Sequence, residues 1–311
     1  MITMRCRPLA HRLRGVVALA PAALVAALLM PSQAQGATPS QDACHTLDTV
    51  MPHGDCGPFH QVFADNFNGQ RIPLGAFSYC AGDGDFKCAG LRKYGTGPGS
   101  VYWSFGAYPR GWYDTANPKN HSNGNTRTFG GEYRADDTTW IGPSPAGDGQ
   151  LHVRMYRPPT GDNHVAALVP LGCMDIRYGK FSERWRVHGT LDGYKMAHLR
   201  YAESEIDFPE AGENFAYDPI SAFVHGFSEY NADAPGRWTD WHTSTYEITP
   251  SGVTFYLDGR RIGQVAGDNP DATAWVLQNE SSLGGNYAAP GSSVQIDTTW
   301  VTCYTYDGTG R

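Results

Sequence analysis

Between Glu203 and Glu213 the sequence reads ESEIDFPEAGE, five carboxylates in eleven residues of a chain in which only 18% of residues are charged. Ile206, Phe208 and Pro209 interleave with Glu205, Asp207 and Glu210, a mixture that neither a solvated acidic face nor a metal loop needs. In a strand, residues i and i+2 share a face, so Glu205 and Asp207 point one way while Ile206 and Phe208 point the other. Glu210 lies an odd number of positions from Glu205, and a regular strand would turn it to the wrong face. One extra residue restores it, and Pro209 suits such a bulge because it has no N–H to give to a sheet. Three carboxylates crowded on one face repel one another, which raises at least one pKa and lets a protonated acid stand beside an ionised one near neutral pH. Glycoside hydrolysis needs that pair, with the two carboxyl groups about 5–5.5 Å apart when configuration is retained. Four strand steps of ~3.3 Å span about 13 Å, and two glutamates leaning together can close most of it.

The rest of the chain must supply strands to hold this one. The 37 glycines and 21 prolines are scattered as punctuation between short runs rich in β-branched and aromatic residues, the pattern of many strands and turns. GQLHVRMYR (Gly149 to Arg157) alternates as a half-buried strand. YGKFSERWRVHG is a second, GVTFYLDGRRIGQV is a hairpin turning at Asp258-Gly259, and SSVQIDTTWVTCYTY is a closing strand. Almost nowhere do apolar residues keep helical spacing over three turns. One all-β sandwich over residues 61–311, preceded by a cysteine-containing lead-in over 37–60, accounts for the chain beyond residue 36.

Residues 1–36 read as a secretory signal peptide. Arg5, Arg7, Arg12 and Arg14 form a basic head, Val16 to Met30 is apolar, and SQAQG offers small residues for cleavage after Ala34 or Gly36. The apolar run, about 15 residues interrupted by Pro21, falls short of the ~20 that span a bilayer. The expectation is a secreted, extracellular monomer with no membrane association after processing. The whole chain has 24 basic and 31 acidic residues, a formal charge of −7, and loses four arginines with the signal. So acidic a protein is poorly matched to nucleic acid or an anionic membrane, and a neutral polymer fits better as partner. Cys6 leaves with the signal and six cysteines remain, an even set that argues for disulfides in a secreted chain. The expected pairing is Cys44 with Cys56, Cys80 with Cys88, and Cys173 with Cys303. No paired C-x-x-C spacing supports zinc.

Aromatic rings gather in VYWSFGAYPRGWYD, a Gly- and Pro-rich segment. Flat rings stack on pyranose faces but are also ordinary core material; here Trp112 and Trp103 are candidate sugar platforms. Alternation allows only one of Arg184 and Trp185 to face a cleft, and Arg184 is the candidate. Trp238 and Trp241 straddle a turn, with Trp238 the better placed for sugar contact. Gln278 and Glu280, two apart, share a face and can enter the cleft.

EIDFPE resembles the E-x-D-x-x-E catalytic strand of glycoside hydrolase family 16, the secreted β-sandwich enzymes that include laminarinases, lichenases and agarases, in its bulged variant. The likeness extends to VFADNFNG (Val62 to Gly69), YGKFSERWRV, WHTSTYEITPSGVTFYLDG and WVLQNESSLGG, in the family's order over most of residues 62–306. It implies a concanavalin A-like jelly roll of two antiparallel sheets, with Glu205 as nucleophile, Glu210 as acid/base and Asp207 tuning their charge. It also matches His225 to a histidine near the acid/base, against the plainer reading of a hydrogen-bonded histidine between strands; His242 is open in the same way. The implied activity is retaining endo-hydrolysis of β-1,3 or mixed β-1,3/1,4 glucan. Ser182, where many members carry Glu, and LQNESS, where glucanases have Asn in an apolar stretch, are departures that leave a galactan or transglycosylation open. No cofactor is required; a structural calcium is compatible with the family but has no recognisable loop here.

Two rivals share the sandwich. A non-catalytic lectin has no need of two glutamates around an aspartate, and all three are present. A polysaccharide lyase would act on a uronate polymer that an acidic cleft repels.

Overall fold

The apolar half of ESEIDFPEAGE finds its partners in a second sheet, and this contact orients the acids. The computed structural model describes residues 50–68, 71–75, 77, 105–120, 129–143, 149–201, 204–212, 219–226, 230–267, 274–284 and 287–307. In chain order the strands are β1 (Phe59–Asp65), β2 (Phe105–Ala107), β3 (Gly131–Tyr133), β4 (Thr139–Pro143), β5 (Gly149–Tyr156), β6 (Asn163–Pro170), β7 (Gly179–His188) and β8 (Tyr194–Tyr201). They continue as β9 (Glu205–Ala211), β10 (Ile220–His225), β11 (Tyr230–Ala234), β12 (His242–Thr249), β13 (Gly252–Leu257), β14 (Arg260–Ala266), β15 (Ala274–Ser281) and β16 (Ser293–Tyr306).

One sheet runs β11-β10-β9-β8-β15-β6 and carries the acidic strand near its centre. The other runs β5-β16-β7-β12-β13-β14, with β4 beside β5 and β1 paired to β16. The pairings are antiparallel apart from β3 with β6. β5 and β6 meet at Tyr156 and His164, which joins the layers along one side into a nearly closed jelly-roll sandwich.

From β9, Ile206 and Phe208 enter the core, and the Phe208 ring meets Phe255 of β13 edge-on at 5.5 Å. Phe181 of β7 lies 5.1 Å from Tyr246 of β12 and 5.6 Å from Trp275 of β15. Removing a ring such as Phe208 costs about 3–5 kcal/mol, so the core contact also locks the opposite face of β9 outward. The core is not wholly apolar. His198 Nδ1 lies 2.7 Å from Glu183 Oε1, and Arg200, beside them, donates to the Ile176 carbonyl over the Phe181 ring. Burial draws Arg200 down to about 10.

The strands read at Gly149, Gly179 and Ser293 form, and the turn at Asp258 and Gly259 has φ of 51° and 73°, the left-handed pair that a two-residue hairpin needs. β1 starts at Phe59, two residues inside the expected lead-in, because Phe59 pairs with Tyr306 and packs on it at 5.4 Å. Cys173 and Cys303 are bonded, with Cα atoms 5.9 Å apart; Cys56 is in a disulfide too. Cys44, Cys80, Cys88 and the signal segment lie outside the described residues. Among those described, no helix is long and apolar enough to cross a membrane.

Candidate active site

β9 pairs with β8 so that Asp207 lies opposite Leu199 and Glu210 opposite Ala197. Three chain steps on β9 match two on β8, and β10 shows the same shift, with Asp207 opposite Phe223 and Glu210 opposite Ser221. The extra residue falls at Phe208-Pro209, whose peptide bond is cis. Glu205, Asp207 and Glu210 therefore share the face opposite Ile206 and Phe208.

Asp207 is 2% exposed and Glu210 7%. Burial, then the charges of Glu205 and Glu210, hold the Asp207 carboxyl well above the ordinary range, and Lys195 offsets part of this. Such an acid keeps its proton at a pH where an ordinary aspartate has lost it. Half-exposed His225, opposite Glu205 on β10, places Nε2 3.8 Å from Asp207 Oδ2 and stacks on Phe223 at 5.9 Å.

A second set of groups adjoins the first. Lys195 Nζ on β8 stands 3.5 Å from Glu210 Oε1 and 3.1 Å from Glu280 Oε1. Glu280, fully buried on β15, accepts from the Thr115 N–H at 3.2 Å and the Tyr133 hydroxyl at 3.4 Å. Asp114 accepts the Ser281 N–H at 2.8 Å, and burial, with the Glu280 charge, pushes its carboxyl up to about 6. Gln278 is opposite Ala197 and buried. Spacing located Gln278 and Glu280, but Lys195, Asp114 and Tyr133 went unread. For Lys195 the available signal was its alternation with buried Met196 in YKMAHLRY.

Trp112 is partly buried, edge-on to Tyr108 at 5.5 Å, in the segment that covers Glu280. Trp103 lies outside the described residues. The structure does not bring Arg184 or Trp238 to the acidic face. Arg184 belongs to the other sheet, where it donates to Thr243 Oγ1 and lies over Trp241 at 5.5 Å. Its neighbour Trp185 is buried between the sheets and donates to Ser244 Oγ at 2.7 Å. Alternation separates the faces of a strand but does not say to which sheet the strand belongs. Trp238 is 8% exposed in the core, with its carbonyl on the Val187 N–H, so its ring offers no open face. His242 is fixed in the second sheet between Asp258 Oδ2 at 2.8 Å and the Arg237 carbonyl at 3.0 Å. Among the described residues no group of three or more His, Cys, Asp and Glu side chains is arranged to hold a metal ion.

No protein-family profile matches the sequence, and no curated protein matches it significantly. Solved structures do match in fold. A non-specific endo-β-1,3(4)-glucanase from family GH16 aligns over 86% of this chain and 98% of its own, with 15% identity and a TM-score of 0.56. A β-1,3-glucanase from Mycobacterium marinum aligns over 78% and 98%, with 19% identity and a TM-score of 0.53. The laminarinase catalytic domain from Thermotoga maritima aligns over 79% and 98%, with 14% identity and a TM-score of 0.54. At these identities the likeness is one of fold: the chain has the jelly-roll sandwich of family 16 glycoside hydrolases.

Proposed function

We propose that the protein is a secreted, retaining endo-glycoside hydrolase of the family 16 type that cleaves β-1,3 or mixed β-1,3/1,4 glucan. The observation that carries this reading is the placement of Glu205, Asp207 and Glu210 on one face of β9, brought about by the bulge at Phe208-Pro209. Glu205, the most exposed of the three, attacks the anomeric carbon with a carboxylate oxygen while Glu210 gives its proton to the departing glycosidic oxygen. In the second step Glu210 takes a proton from water, the water oxygen bonds to the anomeric carbon, and Glu205 leaves as carboxylate. Asp207, kept protonated by burial and its two neighbours, adds a polar contact without a third full charge.

The glucan assignment draws on the fold neighbours, whose described activities are endo-β-1,3(4)-glucanase and β-1,3-glucanase. A neutral polymer also suits a face lined with carboxylates. Trp112 is the candidate platform, with Gln278 and Glu280 beside the acid/base and His225 near Asp207. Extracellular localisation rests on the amino-terminal signal pattern.

The test is product release from laminarin, mixed-linkage glucan, agarose and galactan by wild type, Glu205→Gln and Glu210→Gln. Cutting of a β-glucan, reduced about a hundred- to ten-thousand-fold in each variant, is expected. Equal activity in the variants would remove the paired-carboxylate mechanism, and cutting of galactan alone would remove the glucan assignment.

A further inference from the structure

Lys195 is a cation built into the floor of the acidic face. β8 lies between β9 and β15, and register puts Glu280 directly across from Lys195 and Glu210 across from Ala197, two positions on. The ammonium reaches both carboxylates, 3.1 Å from Glu280 and 3.5 Å from Glu210. An ammonium this enclosed, its side chain 9% exposed, is costly unless paired. Glu280 supplies that pair and cannot swing away, because the Thr115 N–H and the Tyr133 hydroxyl hold its other oxygen. The fixed unit is therefore Glu280–Lys195, and Glu210 is the third party to it.

We propose that Lys195, anchored by Glu280, is a positioning residue that orients the Glu210 carboxyl and sets the pH at which it gives up its proton. The inference rests on the reading of Glu210 as acid/base. A positive charge within ~4–6 Å favours the ionised carboxylate. The charge thus limits how far up the pH scale Glu210 can protonate a leaving group, and favours the ionised form that must later take a proton from water. Balancing it are Glu205 and Asp207 on β9, Glu280 on β15, and Asp114 and Tyr133 over Glu280, with His225 of β10 beside Asp207. The nearby carboxylates among these raise the cost of ionising Glu210, and Lys195 acts against them.

The two ends of the unit should push Glu210 in opposite directions. Lys195→Met removes the cation and leaves the Glu280 carboxylate, so Glu210 should ionise about one pH unit higher, a tenfold tighter hold on its proton. Glu280→Gln removes the anchor and leaves the Lys195 charge to Glu210 alone, so the midpoint should fall by about the same amount. Lys195→Arg, which keeps the charge, should hold the wild-type midpoint far more closely than Lys195→Met.

The experiment is a carbon-13 NMR titration of the free enzyme labelled at glutamate carboxyls, with the Glu210 signal assigned from Glu210→Gln. It needs no substrate, so it decides the inference even if every polysaccharide in the activity panel is left uncut. Folding of each variant is checked by near-UV circular dichroism, and Lys195→Gln replaces Lys195→Met if the latter does not fold. Opposite shifts in the two variants, echoed where activity is measured in the alkaline limb of kcat/KM, are the expected result. An unmoved midpoint, or shifts of the same sign, would overturn the proposal.

Discussion

Glu210 stands three residues after Asp207 in the chain but two after it in the sheet, since the pair lie opposite Ala197 and Leu199 of β8. Deleting Pro209 should therefore remove the bulge while leaving Glu210 on the same face as Asp207, because side chains alternate with period two. An alanine inserted after Pro209 should turn Glu210 towards the core. Glucan hydrolysis at least tenfold faster in the deletion than in the insertion variant is expected. The reverse order would mean that the bulge does more than restore the face.

Asp207 should carry a cost in stability that rises with pH. Its folded-state pKa is raised, by burial first and then by Glu205 and Glu210. A raised acid contributes its stability below the unfolded pKa of about 3.9 and loses it as pH rises through the folded value. Asp207→Asn does not titrate, so it should melt a few degrees above wild type at pH 7, with the gain shrinking towards pH 3, while activity falls. A variant that is less stable at every pH would show that the carboxyl is a net structural support.

The bond between Cys173 and Cys303 spans 130 residues and ties β16 to the turn before β7. Chain-entropy reasoning for so long a loop gives about 5 kcal/mol, and removal of native disulfides commonly costs ~2–5 kcal/mol. The double variant Cys173→Ala, Cys303→Ala should unfold at clearly lower denaturant than wild type, with an m-value that is not smaller. Both cysteines are fully buried, so reductant should act on the unfolded chain and leave the native bond intact over the same time.

What the sequence disclosed about the site was local. The odd spacing from Glu205 to Glu210, with Pro209 between, located the bulge, and the Asp-Gly pair located the hairpin at Asp258. Gln278 and Glu280 were readable as sharing a face, but the burial of Glu280 depends on Thr115 and Tyr133, far away in the chain. Arg184 was placed by alternation, which separates the faces of a strand without saying which sheet the strand joins; Trp238 was read from a turn, and its burial at 8% exposure comes from packing that the turn alone does not reveal. Lys195 was passed over because its partners lie on the two strands that flank β8, a neighbourhood fixed by strand order. Register of distant strands is a property of the assembled sandwich and leaves little local trace.

The most direct test of the paired-carboxylate account is to trap its covalent intermediate. Glu210→Gln, given a glucan oligosaccharide with an activated aryl leaving group, needs no acid for the first step and lacks the base for the second, so a glycosyl-enzyme should accumulate. Mass spectrometry of the digested protein should find one glycosyl adduct, on the peptide containing Glu205, and none when Glu205 is also changed to Gln. Release of the aryl group without an adduct, with product of inverted anomeric configuration, would contradict the account.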